Sequence, residues 1–208
     1  VKIEEYAQCE LPTPHGSFDV RVYRTDQGPE ESLAISMGQD FTEDETVFVR
    51  VHSECFTGEV LGSLKCDCKP QLDLALSRIA SQGRGIVVYL RQEGRGIGLG
   101  NKIRAYAEQA KGANTVEANH LIGYPTDLRD FSQAAMILNE LGVRKIDLNT
   151  NNPRKIDSMK QFGLEVSQVV PSLTVPNKYN EEYLKTKAKE LGHLNLGIDY
   201  EEIGKKAM

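Results

Sequence analysis

No stretch of this 208-residue chain approaches the roughly 18 consecutive apolar residues of a membrane span, and no signal peptide is visible. The expectation is a cytoplasmic protein that does not engage a membrane. Cysteine is scarce, with four residues in all. Four thiols in a cytoplasmic chain argue for metal binding or catalysis rather than a disulfide framework. Positive charge is also in short supply, 25 Lys and Arg against 30 Asp and Glu, for a net charge of −5. Bulk electrostatics therefore do not favour nucleic acid, and any anionic ligand must be held by a local basic cluster. Internal repeats, low-complexity linkers and a clear domain boundary are absent too. The length supports one well-buried core or two small ones. We expect a single domain over 1–194, followed by a loosely ordered tail over 195–208.

The patterning points to an α/β fold. Tyr6–Leu11, Ser17–Tyr23, Leu33–Met37 and Thr46–Val51 read as short strands, making the N-terminal part strand-rich. LPTPHG (11–16) and DQGPEES (26–32) read as breaks. Leu72, Ala75, Leu76 and Ile79 fall at helical spacing, with Gly83 as the stop. The apolar run Gly85–Leu90 predicts a buried strand. Helices are then expected with Ile103, Tyr106, Ala107 and Ala110 on one apolar face, and with Phe131, Ala134, Ala135 and Leu138 up to Gly142. Residues 113–130 lack periodicity and read as a polar loop. Lys145–Leu148 and Glu165–Val170 are strands flanking a helix that begins at Pro153, and Glu181–Leu191 is a last helix. Strands and helices alternating in this way predict three layers around a mixed sheet.

The chemistry concentrates in Arg50–Gln71, RVHSECFTGEVLGSLKCDCKPQ. Cys55, Cys66 and Cys68 supply three soft thiolates, a donor set suited to Zn²⁺. The spacing lacks the paired Cys-x₂₋₄-Cys and His-x₃₋₅-His of common zinc fingers. Three protein ligands leave a fourth position for water, as in a catalytic zinc; a purely structural site would recruit Cys9 or His52 as well. His52-Ser53-Glu54 imitates the His-x-Glu of nucleobase deaminases, but their Pro-Cys-x-x-Cys is missing. RQEGRGIGLG (91–100) matches neither G-x-G-x-x-G nor the P-loop. Its place between strand and helix, with Arg91, Arg95, Lys102 and Arg104 nearby, still suits phosphate. Asp127 and Arg129 precede a helix, where Arg129 offers a bidentate clamp and Asp130 a cap. NTNNPRK (149–155) is another anion-friendly helix start.

Taken together, RVHSEC (50–55), SLKCDC (63–68), RQEGRGIG with NKIRAYA (91–107), TVEANHLIGYPTDLRDF (115–131) and TNNPRK (150–155) resemble GTP cyclohydrolase II. The resemblance runs from about residue 11 to residue 194. Lys69-Pro70 departs from it, standing where glycine and a less rigid residue are expected. Nothing here resembles the dihydroxybutanone-phosphate synthase domain fused to some relatives.

This resemblance implies GTP and water as substrates, with formate, pyrophosphate and 2,5-diamino-6-ribosylamino-4(3H)-pyrimidinone 5′-phosphate as products. It implies one Zn²⁺ per chain, Mg²⁺ with the triphosphate, and a homodimer. Cys55, Cys66 and Cys68 are the implied zinc ligands. Arg50, Val51, His52, Ser53, Glu54, Gln71, Glu93, Gly94, Arg95, Thr115, Thr150 and Lys155 are the implied GTP contacts. Asp127 is the implied proton acceptor and Arg129 the implied nucleophile on the α-phosphorus. From their own chemistry, Glu54 beside a ligand is a candidate to move protons, and Tyr106 to hold the base or orient a water. Gln71 and Glu93 are options for reading guanine. A guanidinium is almost never neutral at pH 7, so a charge clamp is the simpler role for Arg129. The sequence leaves both roles open.

Overall fold

The computed structural model describes residues 1–26, 28–181 and 183–184. They divide into two compact units, each assembled from separate stretches of chain. One comprises 1–52, 71–91 and 130–172; the other comprises 53–70, 92–129 and the described residues from Leu173 on.

The first unit is built on a seven-stranded sheet: β1 (Ile3–Thr13), β2 (Gly16–Thr25), β3 (Gly28–Met37), β4 (Thr46–Ser53), β5 (Gly85–Leu90), β6 (Lys145–Asn149) and β7 (Glu165–Val170). Their order across the sheet is β1-β2-β3-β5-β4-β6-β7. β1, β2, β3 and β5 pair antiparallel in succession, whereas β4–β6 and β6–β7 are parallel. The sheet is therefore mixed, as expected. Its first three strands are longer than the sequence suggested, and β3 takes in Gly28–Ser32, which reads as a break.

Two cores flank this sheet because strand side chains alternate between its faces. Val47, Val49, Val51, Ile86, Val88 and Leu90 pack with Ala134, Ala135, Ile137, Leu138 and Met159. Those partners lie on α5 (Ser132–Glu140) and α6 (Pro153–Gln161). The alternate residues Phe48 and Val87 join Phe18, Ala75 and Ile79, the last two from α2 (Cys68–Gln82). Helices thus cover both faces, making three layers. Full burial of each Val, Leu, Ile, Phe or Met side chain among these contributes ~1.5–3 kcal/mol. Pro153 opens α6 behind Asn152, whose side chain accepts the Arg154 N–H at 3.0 Å. His15, at the β1–β2 turn, meets Asp73 (3.3 Å) and Ser77 (3.0 Å) of α2.

The second unit holds α1 (Phe56–Glu59), a short 3₁₀ turn (Glu93–Gly96), α3 (Gly98–Ala110) and α4 (Thr115–Leu121). α4 lies in the stretch expected to be a loop. Asn114 caps it by accepting the Val116 and Glu117 N–H groups, and Glu117 returns a bond to the Asn114 N–H. This reciprocal cap replaces the missing apolar periodicity. α3 forms where expected but turns differently: Ile103, Ala107 and Ala110 are exposed and Ala105 is buried. Polar contacts from Asn101 and Lys102 set its orientation in place of the apolar stripe. Pro70 falls in the first turn of α2, where a missing N–H costs nothing, so the departure at Lys69-Pro70 fits a helix start. Of the expected final helix, Glu181, Tyr183 and Leu184 are helical; the remainder and the 195–208 tail lie outside the described residues. Among the described residues no helix is long and apolar enough to cross a membrane.

Candidate metal centre and its surroundings

Cys55 follows β4 and precedes α1, Cys66 lies in the turn after α1, and Cys68 opens α2. Their sulfurs lie within 4.8 Å of one another, and Cys55 and Cys66 are 3.6 Å apart. A tetrahedral zinc with bonds of ~2.3 Å places its sulfurs ~3.8 Å apart, so the donors fit in chemistry and in spacing. Among the described residues no fourth His, Cys, Asp or Glu joins the group. Cys9 is exposed on β1, and His52 Nδ1 accepts from Arg50 Nε at 3.3 Å while its ring stacks on Tyr89.

Gly58 makes the cluster possible. A Cβ there would stand 2.9 Å from Cys66 Sγ and 3.2 Å from Cys55 Sγ. The thiols differ in their charge preference. Hydrogen bonds from Cys66 and Cys68, with help from Lys102, hold Cys55 far below the ordinary thiol range. Cys66 and Cys68 are pushed up, first because they donate to Cys55. Tyr106 sits beside this group, with Lys65 and Lys102 Nζ 4.9 and 5.8 Å from its ring centroid. Burial pushes its phenol up to about 12, so it keeps its proton at neutral pH. Glu54 is half-buried immediately before Cys55.

The glycine-rich loop belongs to the same unit. Gly94 and Arg95 both adopt left-handed backbone, at φ 63° and 61°. That conformation is strained for arginine, and such strain clusters at functional sites. The Arg95 carbonyl accepts the Leu128 N–H at 2.9 Å. Its Nη1 and Nη2 are buried and have no hydrogen-bond partner among the described residues; Ser53 Oγ is in the same condition. The guanidinium carbon lies 5.9 Å from the Tyr183 ring centroid, and nitrogens buried without a hydrogen bond suit an anion. Glu93 differs: Oε2 accepts the Phe56 N–H, and Oε1 accepts the Gly94 N–H and Lys102 Nζ.

Asp127 and Arg129 also lie in this unit. Arg129 donates to both carboxylate oxygens, Nε to Oδ1 at 3.0 Å and Nη2 to Oδ2 at 2.8 Å. Burial alone would lower the Arg129 pKa, but the Asp127 hydrogen bond and charge raise it above the usual value. Asp130 accepts from the Ser132 N–H and hydroxyl at the start of α5. Thr115 is the first residue of α4.

The remaining candidates lie in the sheet unit. Arg50, only 4% exposed, donates to Gln71 Oε1 at 2.6 Å, Asn149 Oδ1 at 3.0 Å and Ser172 Oγ at 3.0 Å. The buried Lys155 donates to the Val51 carbonyl at 2.7 Å, and Thr150 Oγ1 accepts the Asn152 N–H. The sequence alone gives no sign of Ser172, of Gly58 or of the sulfur-facing role of Lys102. Ser172 and Arg50 are 122 residues apart, with no local signal joining them.

A family model described as GTP cyclohydrolase II matches residues 4–171. "Riboflavin biosynthesis protein RibBA" of Aquifex aeolicus is 54% identical over 193 residues, 92% of this chain and 47% of that protein. "GTP cyclohydrolase-2" of Shewanella sp. is 50% identical over 194 residues, 93% of this chain and 95% of that protein. The Synechocystis RibBA is 52% identical over 187 residues, 89% of this chain and 34% of that protein. The chain thus spans about half or less of the RibBA relatives and nearly all of the Shewanella protein.

Proposed function

The chain belongs to the GTP cyclohydrolase II family, and we propose that it hydrolyses GTP in a zinc-dependent reaction. The imidazole ring of guanine is opened, and formate and pyrophosphate are released. What remains is 2,5-diamino-6-ribosylamino-4(3H)-pyrimidinone 5′-phosphate, formed in the first step of riboflavin biosynthesis. The observation that carries this reading is the trio of Cys55, Cys66 and Cys68 sulfurs gathered within 4.8 Å. Bound there, zinc supplies Lewis acidity that makes water nucleophilic at neutral pH.

The protein's own groups supply the rest. Arg95, whose buried guanidinium nitrogens have no hydrogen-bond partner among the described residues, takes phosphate oxygens. Ser53 Oγ, Gly94 and Thr115 add substrate contacts in the same unit. Glu54 moves protons, and the Tyr106 phenol orients a water or holds the base. Arg129 works as a permanently charged clamp on developing phosphate charge, oriented by Asp127; its raised pKa supports this role over that of a nucleophile. In the sheet unit, Arg50, Val51, His52, Gln71, Thr150 and Lys155 are the GTP contacts of this reading. Mg²⁺ with the triphosphate, a homodimer, a single domain over 1–194 and a cytoplasmic location complete it.

The test incubates the chain with GTP, Zn²⁺ and Mg²⁺, follows loss of purine absorbance, and assays formate and pyrophosphate separately. Both products are expected in equal amounts. Intact GTP after prolonged incubation of zinc-loaded chain would refute the reading.

A further inference from the structure

Lys102 faces a sulfur rather than a phosphate site. Its Nζ lies 3.1 Å from Cys55 Sγ and 2.8 Å from Glu93 Oε1, with the two side chains only 13% and 9% exposed. The second Glu93 oxygen accepts the N–H of Phe56, the residue after Cys55, at 2.6 Å. The Cys55 N–H in turn donates to Glu59 Oε1 at 3.0 Å. Cys55 is therefore gripped at its sulfur and on both sides of its backbone. Even the approach is prepared: a Cβ on Gly94 would stand 3.1 Å from Lys102 Cβ, in the way of the lysine stem.

We propose that Lys102 and Glu93 act together as positioning residues for the metal centre. Lys102 compensates its charge and directs the Cys55 sulfur, while Glu93 anchors the lysine to the Cys55 backbone. The proposal rests on the reading of the three cysteines as a zinc site. Three thiolates around a dication leave one net negative charge in a poorly solvated place, where an uncompensated charge is expensive. The Lys102 ammonium supplies the matching positive charge. Its N–H···S bond also draws electron density from one of the three sulfurs, leaving that sulfur a weaker donor than the other two. Groups that hold a ligand from behind commonly change metal affinity ~10–100-fold when they are removed. Glu93, with both oxygens committed to this work, is more than a reader of guanine.

The test measures zinc affinity by chelator competition on the full chain, and the sulfur-to-cobalt charge-transfer band after Co²⁺ substitution. Lys102→Met is expected to weaken zinc binding ~10–100-fold and to move the band to lower energy, because the sulfur regains donor strength. Lys102→Arg keeps a cationic donor and should restore most of both readouts. Glu93→Gln should give an intermediate loss. Lys111→Met, which removes an equal charge from an exposed position, should change neither. If Lys102→Met does not fold by circular dichroism, Glu93→Gln carries the same two readouts, with Lys102→Arg as the control that keeps the charge. Zinc affinity within twofold of the unmodified chain and an unmoved band in Lys102→Met and Glu93→Gln would overturn the proposal. An unmodified chain that takes up neither metal would overturn the zinc reading itself, and this proposal with it.

Discussion

Arg129 and Asp127 face each other through two parallel hydrogen bonds, 3.0 and 2.8 Å long, two residues apart in one loop. The fork fixes the plane of the guanidinium and stabilises its charge. A group held this way is suited to neutralising phosphate oxygens and ill suited to attacking phosphorus. Arg129→Ala should leave zinc content unchanged while reducing GTP turnover at least ~100-fold, the scale of losing a charge-stabilising donor. Arg129→Lys should keep part of the activity, since it keeps the charge but not the fork. Near-normal formate release from Arg129→Ala would remove any chemical role for this residue.

Gly58 is required for space. Its α-carbon stands where a methyl group would press on Cys66 and Cys55 sulfurs at once, at 2.9 and 3.2 Å. Gly58→Ala should weaken zinc binding at least ~10-fold while far-UV circular dichroism stays unchanged. Full zinc affinity in that variant would show that the cluster opens more readily than its packing implies.

Arg50 should matter to stability as well as to GTP. Replacing it with Ala strands the buried Asn149 acceptor and removes the bond to Gln71. The expected loss is at least ~2 kcal/mol by urea denaturation, from unpaired buried groups. A variant with normal stability and impaired GTP binding would restrict Arg50 to ligand contact.

Tyr23 separates stability from function. Its ring is fully buried and its hydroxyl donates to Glu140 at 2.8 Å. Tyr23→Phe should cost ~1 kcal/mol and leave turnover unaltered. A fall in turnover measured well below the melting transition would tie this bond to the reaction.

Every strand of the sheet is legible in the sequence: apolar runs such as Gly85–Leu90 report burial directly, and β-branched or alternating residues mark even β1, which has no buried residue. The strand order is not legible there, because pairing is decided by contacts distant in sequence. α4 was missed for a different reason. Its seven residues carry no apolar stripe, and its signal was the Asn114 and Glu117 cap. α3 was placed correctly but rotated wrongly, because Lys102 and Asn101 turn inward on polar partners. The two units were hidden because each is assembled from separate segments, so no single cut in the sequence separates them. At the candidate centre the cysteines were readable from donor type and proximity. The hold of Lys102 and Glu93 on Cys55 was not, because 47 and 38 positions of chain hide which basic or acidic residue returns to the sulfur. In the sequence Lys102 is one charge among several beside the glycine-rich loop.

Whether the three cysteines drive the reaction through zinc is decided by titrating Zn²⁺ into metal-stripped chain and measuring formate released from GTP at each step. No formate is expected at zero zinc, then a linear rise and a break at one zinc per chain, with the break abolished in Cys66→Ser. Formate release from chain free of metal, or an unaltered titration in Cys66→Ser, would contradict that role of the cysteines.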